Sequence, residues 1–428
     1  MKDQKKLLVL AGAGIHSKVV EAAREMGIYT IVADYLEDSK SPAKQIADEA
    51  LMCDINDIET LVNYGREKQI DGVICFCCDP AQRPAQKVAE ALGLPTFGSW
   101  EQLLQFTDKP TFKALCKANN VDTIPEYSLE DVRNDRVKYP VLVKPTDSRG
   151  SRGITICNSL TEVEEAVKIA EENSSNGQAI IERYMNCNQD LTISYLVKDG
   201  NPVLVSLGDR HSGRKEDNLD RQLSCTIQPS RFVPMYMKYV NDRVINMIKA
   251  AGIQNGPVFM QGFEDGNTVR MYDPGMRFPG NEYERIFAAA TGMNLMKSII
   301  NYCVGGEILD FDGKLNGSHD LNNKCAIQYI INIAAGKVDS YTGLDEIAEH
   351  PCVVDVQQKI YPGAIVENTG DVRHRAGEIS VLVERDVEKM CDMIDFIKEK
   401  LKITSVEGKN MLISQITTSF IKKTYGEK

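Results

Sequence analysis

The sequence predicts an α/β protein of several domains, opening on a parallel sheet. Three observations carry this. Over the first hundred residues or so, short apolar runs alternate with helical stretches, the pattern that builds a parallel sheet. Farther on, two strand–turn–strand units, Val141–Ile156 and Gly256–Gly280, call for antiparallel pairing instead. Finally, 428 residues exceed what one hydrophobic core organises, so roughly two to four domains are expected.

The elements follow in order. Lys6–Leu10 reads as a strand. Ala11-Gly12-Ala13-Gly14-Ile15-His16-Ser17 is a glycine turn into a helix over Lys18–Met26, stopped by Gly27. Tyr29–Ala33 is the next strand, and Asp34 ends it. Gly12, Gly14 and Asp34 partly match a dinucleotide-binding fingerprint, but Ser17 stands where a third glycine belongs. A tight strand-to-helix turn in a Rossmann-like domain is the competing reading. Helices at Asp57–Lys68 and Pro84–Leu92 and a strand at Gly72–Phe76 continue the alternation, which ends near Gly98.

Helices are expected at Trp100–Gln105 and Lys109–Asn119. Val141, Leu142 and Val143 form a buried strand closed by Lys144, and Pro145 blocks a helix. A polar loop with Gly150 and Gly153 leads to a second strand at Ile154. Such a loop suits phosphate oxygens, because glycine allows close backbone approach and free N–H groups can point at an anion. It also suits an exposed hairpin turn. No Gly-Lys-Ser/Thr opens a helix here, so this is not a Walker loop. Thr161–Glu172 reads as a helix capped by Thr161 with Glu164 three residues on. Gln178–Tyr184, Leu191–Val197 and Pro202–Leu207 read as strands, and Asp209–Lys215 as a basic loop.

One helix is expected over Pro234–Ala251. Strands Val258–Phe263 and Thr268–Tyr272 then flank Asp265-Gly266, a strong hairpin signal. Pairing would bring Gln261 and Asp273 together, with Arg277 close behind. Two oxygen ligands beside an arginine suit Mg²⁺ bridging phosphates and a transferring phosphoryl group. Tyr283–Gly305 reads as one long helical stretch and Gly306–Asn322 as a linker. Strands at Cys325–Ile333 and Ile379–Val383 and a helix at Val387–Leu401 follow. Arg373, His374 and Arg375 precede the second of these strands, where alternation would send neighbours to opposite faces.

Composition excludes some functions. The net charge of −11 argues against broad nucleic-acid binding. No apolar run is long enough to span a membrane. The N-terminal apolar stretch is broken by glycines and reads as a strand, not a signal peptide. Twelve cysteines lack metal-site spacing and suit buried thiols in a reducing cytoplasm.

In its element order, the chain resembles the ATP-grasp superfamily, which includes biotin carboxylase, D-alanine–D-alanine ligase and the carbamoyl-phosphate synthetase large chain. The resemblance covers roughly the first three quarters of the sequence. It rests on Asp108-Lys109 before a helix, Lys144 before the glycine loop, Ile181-Glu182-Arg183-Tyr184 as a hinge, Asp190 beyond it, and Arg277. The metal positions depart from the pattern, with Gln261 for an acid and Gly275 for an asparagine.

The resemblance implies a Rossmann-like domain (1–98), an ATP-grasp domain of two α+β lobes (99–310, with a lid lobe about 138–186), and a small α+β module (311–428). It implies a cytoplasmic ligase that joins a carboxylate to an amine through an acyl phosphate, using ATP and Mg²⁺ or Mn²⁺. Lys109, Lys144, Ser148, Gly150, Ser151, Gly153, Glu182, Tyr184 and Asp190 would bind ATP. Gln261 and Asp273 would hold the metal, Arg277 and Lys144 would serve catalysis, and Arg210 and His211 would face the substrate. The partners would be a small carboxylate and an amine, with no nucleic acid and no membrane, and a homodimer is left open. Three alternatives stand beside this: an ATP binder without turnover, a bicarbonate-activating carboxylase, and a dinucleotide-dependent oxidoreductase.

Overall fold

The computed structural model describes residues 4–146, 153–174, 176–185, 189–219, 222–280, 283–309 and 311–426. Strands β1 (Lys6–Leu10), β2 (Tyr29–Asp34), β3 (Glu49–Met52) and β4 (Gly72–Ile74) form a parallel sheet in the order β3-β2-β1-β4. Leu7–Leu10 and Ile31–Ala33 are wholly buried, as strands covered on both faces must be. The first helix starts at Gly14, not Lys18.

The loop before that helix matches the competing reading, a tight strand-to-helix turn. Asp34 accepts the Gly12 N–H at 2.8 Å through Oδ2 and the Leu36 N–H at 2.6 Å through Oδ1. A Cβ on Gly12 would lie 1.8 Å from Ser41 Oγ. The acid closes its own loop, and Ser41 packs against it, its Oγ donating to the Gly12 carbonyl at 3.2 Å.

A small antiparallel sheet follows. It contains β5 (Glu126–Tyr127), β6 (Val141–Pro145), β7 (Thr155–Cys157) and β8 (Ala179–Arg183), in the order β5-β8-β6-β7. The helix Leu160–Glu172 packs on it through Val163, Ala166 and Ala170. Its cap is Ser159, not Thr161. Ser159 Oγ accepts the Glu162 N–H at 3.3 Å, and Glu162 accepts the Asn158 N–H at 2.8 Å. Ser159 thus does the capping expected of Thr161, two residues earlier, while the glutamate three residues on takes the N–H before the cap and not the cap's own.

The remaining strands are β9 (Gln189–Lys198), β10 (Asn201–Ser212), β11 (Leu223–Gln228), β12 (Gly256–Glu264), β13 (Val269–Gly275), β14 (Lys324–Ile333), β15 (Gly336–Thr342), β16 (Val353–Gln358), β17 (Ile365–Val366), β18 (Arg375–Glu384), β19 (Lys402–Ser405) and β20 (Leu412–Ile413). Nine of the twenty strands form one sheet, ordered β13-β12-β9-β10-β11-β14-β18-β16, with β20 paired to β14. β17-β15-β19 form a separate small sheet. The large sheet crosses residue 310 without a break, since β11 pairs directly with β14.

Two expected long helices are each divided. Val233–Tyr239 and Asn241–Ala250 part at Val240, where the Tyr195 hydroxyl donates to Asn241 Oδ1 at 2.8 Å. Tyr283–Thr291 and Leu295–Cys303 part at Gly292, whose φ is +76°, and Asn294 caps the second of them. The stretch expected as a linker carries the buried Leu315 and Leu321 and is packed into the core. Among the described residues no helix is long and apolar enough to cross a membrane.

Candidate nucleotide-binding and ligase site

Glu182 is the pivot of the small sheet's contribution. It sits on β8 opposite Leu142 and is 2% exposed. Its two oxygens meet two lysines: Lys144 Nζ at 2.6 Å and Lys113 Nζ at 2.5 Å. Lys113 also pairs with Glu126. Burial alone would raise the Glu182 carboxyl, but the two ammonium groups hold it below the usual range. Burial lowers Lys144, Glu182 opposes that, and Lys109 and Lys113 push the same way as burial. Glu182 was expected on the adenosine side. In this structure its side chain is committed to the two lysines. Tyr184 lies just past β8, half-buried. Ser148, Gly150 and Ser151 lie outside the described residues. Gly153 has φ +69°, and a Cβ there would come within 2.9 Å of Pro145, so the loop's exit requires glycine.

Lys109 is the first residue of the helix Lys109–Ala118, which Asp108 caps through the Thr111 N–H at 3.1 Å. It forms no ion pair among the described residues. Lys109 and Asp273 lie within electrostatic reach of each other.

The other wall is the β12–β13 hairpin. Gln261 and Asp273 are register partners, as the turn chemistry predicts. The strands run farther than expected, so Asp273 lies inside β13 and not at its end. Asp273 makes no side-chain hydrogen bond among the described residues. Burial raises its carboxyl, Lys109 draws it down, Asp79 raises it further, and Arg277 and Arg210 lower it. Gln261 differs, because its Oε1 accepts the Tyr272 hydroxyl at 2.7 Å.

Asp190, expected near ribose, is held on β9 by Arg210 Nη1 at 2.5 Å and by the Tyr272 hydroxyl. Arg210 and His211 belong to β10 and not to a loop, so neighbouring side chains take opposite faces. Arg210 turns to Asp190. His211 turns away: its Nε2 pairs with the Tyr425 hydroxyl at 2.8 Å and its ring stands edge-on to Phe420. His211, expected to face the substrate, packs against the C-terminal helix in this structure.

Arg277 is 7% exposed. Nε and Nη2 grip Asp79 at 2.5 and 2.9 Å, Nη1 donates to the Phe278 carbonyl at 2.9 Å, and the guanidinium lies 4.7 Å from the Phe259 ring centroid. Asp79 opens the helix Asp79–Leu92 of the first domain, and the neighbouring Cys77 Sγ donates to the Pro279 carbonyl at 3.0 Å. A Cβ on Gly275 would already stand 3.3 Å from Arg277 Cγ, so a larger residue there would press on the arginine. Sequence reasoning missed Asp79 and Lys113 as site residues. The only signal was Asp79 at a strand end beside Cys77 and Cys78.

This arrangement brings Lys109 within electrostatic reach of Lys144 on the small sheet and of Asp273 on β13, with Arg277 of the following loop also within reach of Asp273. Residues 108–266 match the carbamoyl-phosphate synthase L chain, ATP binding domain, and residues 20–96 match the ATP-grasp N-terminal domain. The chain belongs to the ATP-grasp superfamily. Among curated relatives, the 2-oxoglutarate carboxylase small subunit of Hydrogenobacter thermophilus is 27% identical over 272 residues, covering 58% of this chain and 56% of that protein. The chain thus spans just over half of that relative. The formate-dependent phosphoribosylglycinamide formyltransferase of Prochlorococcus marinus is 24% identical over 288 residues, 64% of this chain and 72% of the relative. Among solved structures, an L-amino acid ligase from Bacillus licheniformis superposes with TM-score 0.78 at 20% identity, covering 95% of this chain and 100% of its own. Phosphoribosylglycinamide synthetase from Anaerococcus prevotii gives 0.75 at 19%, covering 94% and 100%.

The two residues expected at a metal are one carboxylate without a side-chain hydrogen bond among the described residues, Asp273, and one amide whose carbonyl meets the Tyr272 hydroxyl. This donor set fits a Mg²⁺ whose remaining ligands are phosphate oxygens and water, which is how Mg²⁺ is commonly held at nucleotide sites. Among the described residues no cluster of three or more acids, histidines or cysteines could hold a metal alone.

Proposed function

We propose that the protein is an ATP-dependent ligase that joins a carboxylate to an amine, releasing ADP and phosphate. One observation carries the reading: Lys109 lies within electrostatic reach of both Lys144 and Asp273, and Arg277 within reach of Asp273, a carboxylate with no side-chain hydrogen bond among the described residues. Lys109 and Lys144 would hold the phosphates, and Lys144 can exchange its contact with Glu182 for one with a phosphate oxygen. Lys113 would then keep Glu182 neutralised. Gly153 would support the loop over the nucleotide, and Tyr184 and Asp190 would bound the adenosine. Asp273 and Gln261 would hold Mg²⁺, which supplies charge neutralisation on the phosphates.

Arg277 would face the charge that develops as the γ-phosphoryl group passes to the substrate carboxylate. Attack of the amine on the acyl phosphate then expels phosphate. The protein's part is positioning and electrostatic stabilisation. Small-molecule substrates and a cytoplasmic setting belong to the same proposal, since the described cysteines are all free.

The test is ADP release from ATP and Mg²⁺ across carboxylate–amine pairs. Release that requires both an acid and an amine supports the ligase. A second reading, nucleotide binding without turnover, draws on the engagement of Gln261 by Tyr272, which leaves one protein anion for the metal. ATP binding with no ADP from any pair would favour it.

A further inference from the structure

The large sheet carries a continuous polar row across one face. Register pairs run Asp190 to Arg210, Arg210 to Thr226, Thr226 to Gln328, Gln328 to Ser380, and Ser380 to Asp355, stepping over β9, β10, β11, β14, β18 and β16. Register partners share a face, so this row is the floor of the cleft on which Arg210 stands. Glu378, two residues before Ser380, lies on the same face.

Arg375 reaches this floor from the start of β18. Its neighbours do not. Arg373 is tied to Asp371 at the surface, and His374 is buried against the Ile333 carbonyl. The Arg375 side chain makes no hydrogen bond among the described residues. The carboxylate nearest to it in the structure belongs to Glu378, at 3.6 Å, too far for a hydrogen bond. Its side chain is 18% exposed. Burial lowers its guanidinium, Glu378 opposes that, and Arg210 adds to the lowering. An arginine that is largely desolvated with no hydrogen bond is costly unless something else completes it.

The surrounding charges indicate what completes it. Lys359 Nζ lies 3.3 Å from Glu378, and Arg210 is paired with Asp190. Arg210 and Lys359 thus each have a carboxylate partner, and Arg375 is left without a hydrogen-bonded one. What completes it is an anion that offers oxygen acceptors to the guanidinium fork.

We propose that Arg375 is the docking point for the carboxylate of a small substrate, with Glu378 fixing the guanidinium from beneath. The proposal rests on the ligase reading and deepens it by naming the residue that holds the substrate and the substrate's class. A planar carboxylate accepts two parallel N–H bonds from the guanidinium fork, the geometry that Arg offers and Lys does not.

The test is calorimetric binding to the full-length protein with ADP and Mg²⁺ present. The probes are the common L-amino acids and short monocarboxylates, with L-alaninamide and ribose 5-phosphate as controls. A subset of the carboxylates should bind, and neither control should. Arg375→Gln should weaken that binding about 10²-fold, the scale of removing one partner of a desolvated charge pair, with ADP affinity unchanged. Arg375→Lys, which keeps the charge and protects the fold, should still weaken it by roughly tenfold. The proposal is overturned if no carboxylate binds, if both variants bind as well as wild type, or if ribose 5-phosphate binds more tightly than every carboxylate. Carboxylate binding lost in Arg375→Gln, in a protein that makes no ADP, would sink the ligase reading and leave this site standing. ADP formation indifferent to Arg375 would do the reverse.

Discussion

Arg277 and Asp79 form a two-point ion pair that ties the ATP-grasp cleft to the first domain. The arginine is buried and the aspartate half-exposed. The pair fixes a guanidinium that would otherwise be free to swing, and it makes the first domain part of the site.

Asp79→Asn should therefore lower turnover while leaving ATP binding nearly unchanged. Asn can accept one N–H but cannot return the bidentate, charge-assisted contact. A misplaced catalytic group costs roughly 10- to 10²-fold in kcat. Arg277→Lys should give a similar loss, and the double variant should lose little more than either single one, because both act through the same contact. Fully additive losses in the kcat cycle would show that Asp79 acts independently of Arg277.

How much of this was legible in sequence depends on the range of the interaction. The hairpin register of Gln261 and Asp273 was readable, because Asp265-Gly266 fixes the turn and the turn fixes the register. Lys144 was readable as the root of a glycine loop. Asp79 and Lys113 were not, because their partners, Arg277 and Glu182, lie far along the chain, and no local pattern links them. His211 was misread because the strand runs through a stretch rich in charge. Its pairing with β9 and β11 overrides the loop-like composition of Asp209–Lys215. The divided helices were missed because apolar periodicity continues across both breaks.

The Lys113–Glu182–Lys144 triad predicts a contrast between function and stability. Lys144→Met should weaken ATP binding strongly and leave the fold intact, since Lys113 still neutralises Glu182. The Lys113→Met, Lys144→Met double variant strands a buried carboxylate and should cost about 3–5 kcal/mol of stability. Adding Glu182→Gln should restore most of that loss. Urea denaturation of the three proteins measures this. A double variant as stable as Lys144→Met alone would mean that Glu182 is solvated well enough not to need either lysine.

Acid stability should report on His211. Burial lowers its imidazole to about 3, with Arg231 adding to the effect, and burial likewise lowers His16 to about 4. Both folded values lie below the unfolded value, so the unfolded chain binds more protons in between. Stability is then present above the ordinary histidine pKa and is lost as pH falls below it. Asp209, joined to His211 through Tyr425, is raised by burial and has the opposite sign. The comparison is therefore made by difference. His211→Asn should flatten the fall in unfolding free energy below about pH 6.5 by up to about 1.4 kcal/mol per pH unit, the equivalent of one proton. Identical slopes for variant and wild type would show that His211 titrates normally in the folded protein.

The last prediction concerns the metal pair. Asp273 offers a carboxylate with no hydrogen bond, and Gln261 offers a carbonyl that already accepts the Tyr272 hydroxyl. On the ligase reading Asp273 is the one protein anion available to Mg²⁺ from this pair. Asp273→Asn should cost at least ~10²-fold in turnover, the scale of losing one well-placed electrostatic group. Gln261→Glu should be tolerated with Mg²⁺ bound, because the cation offsets the added charge beside Asp273. By adding an anion beside Asp273, it should lower the Mg²⁺ concentration needed for half-maximal rate. Tyr272→Phe should act in the same direction more mildly, since it frees the Gln261 carbonyl without adding charge. One titration of ADP production against Mg²⁺ over wild type and the three variants decides between the readings. Asp273→Asn running level with wild type at every Mg²⁺ concentration would remove Asp273 from the metal site. Half-saturation unmoved in both Gln261→Glu and Tyr272→Phe would place the metal away from β12 altogether.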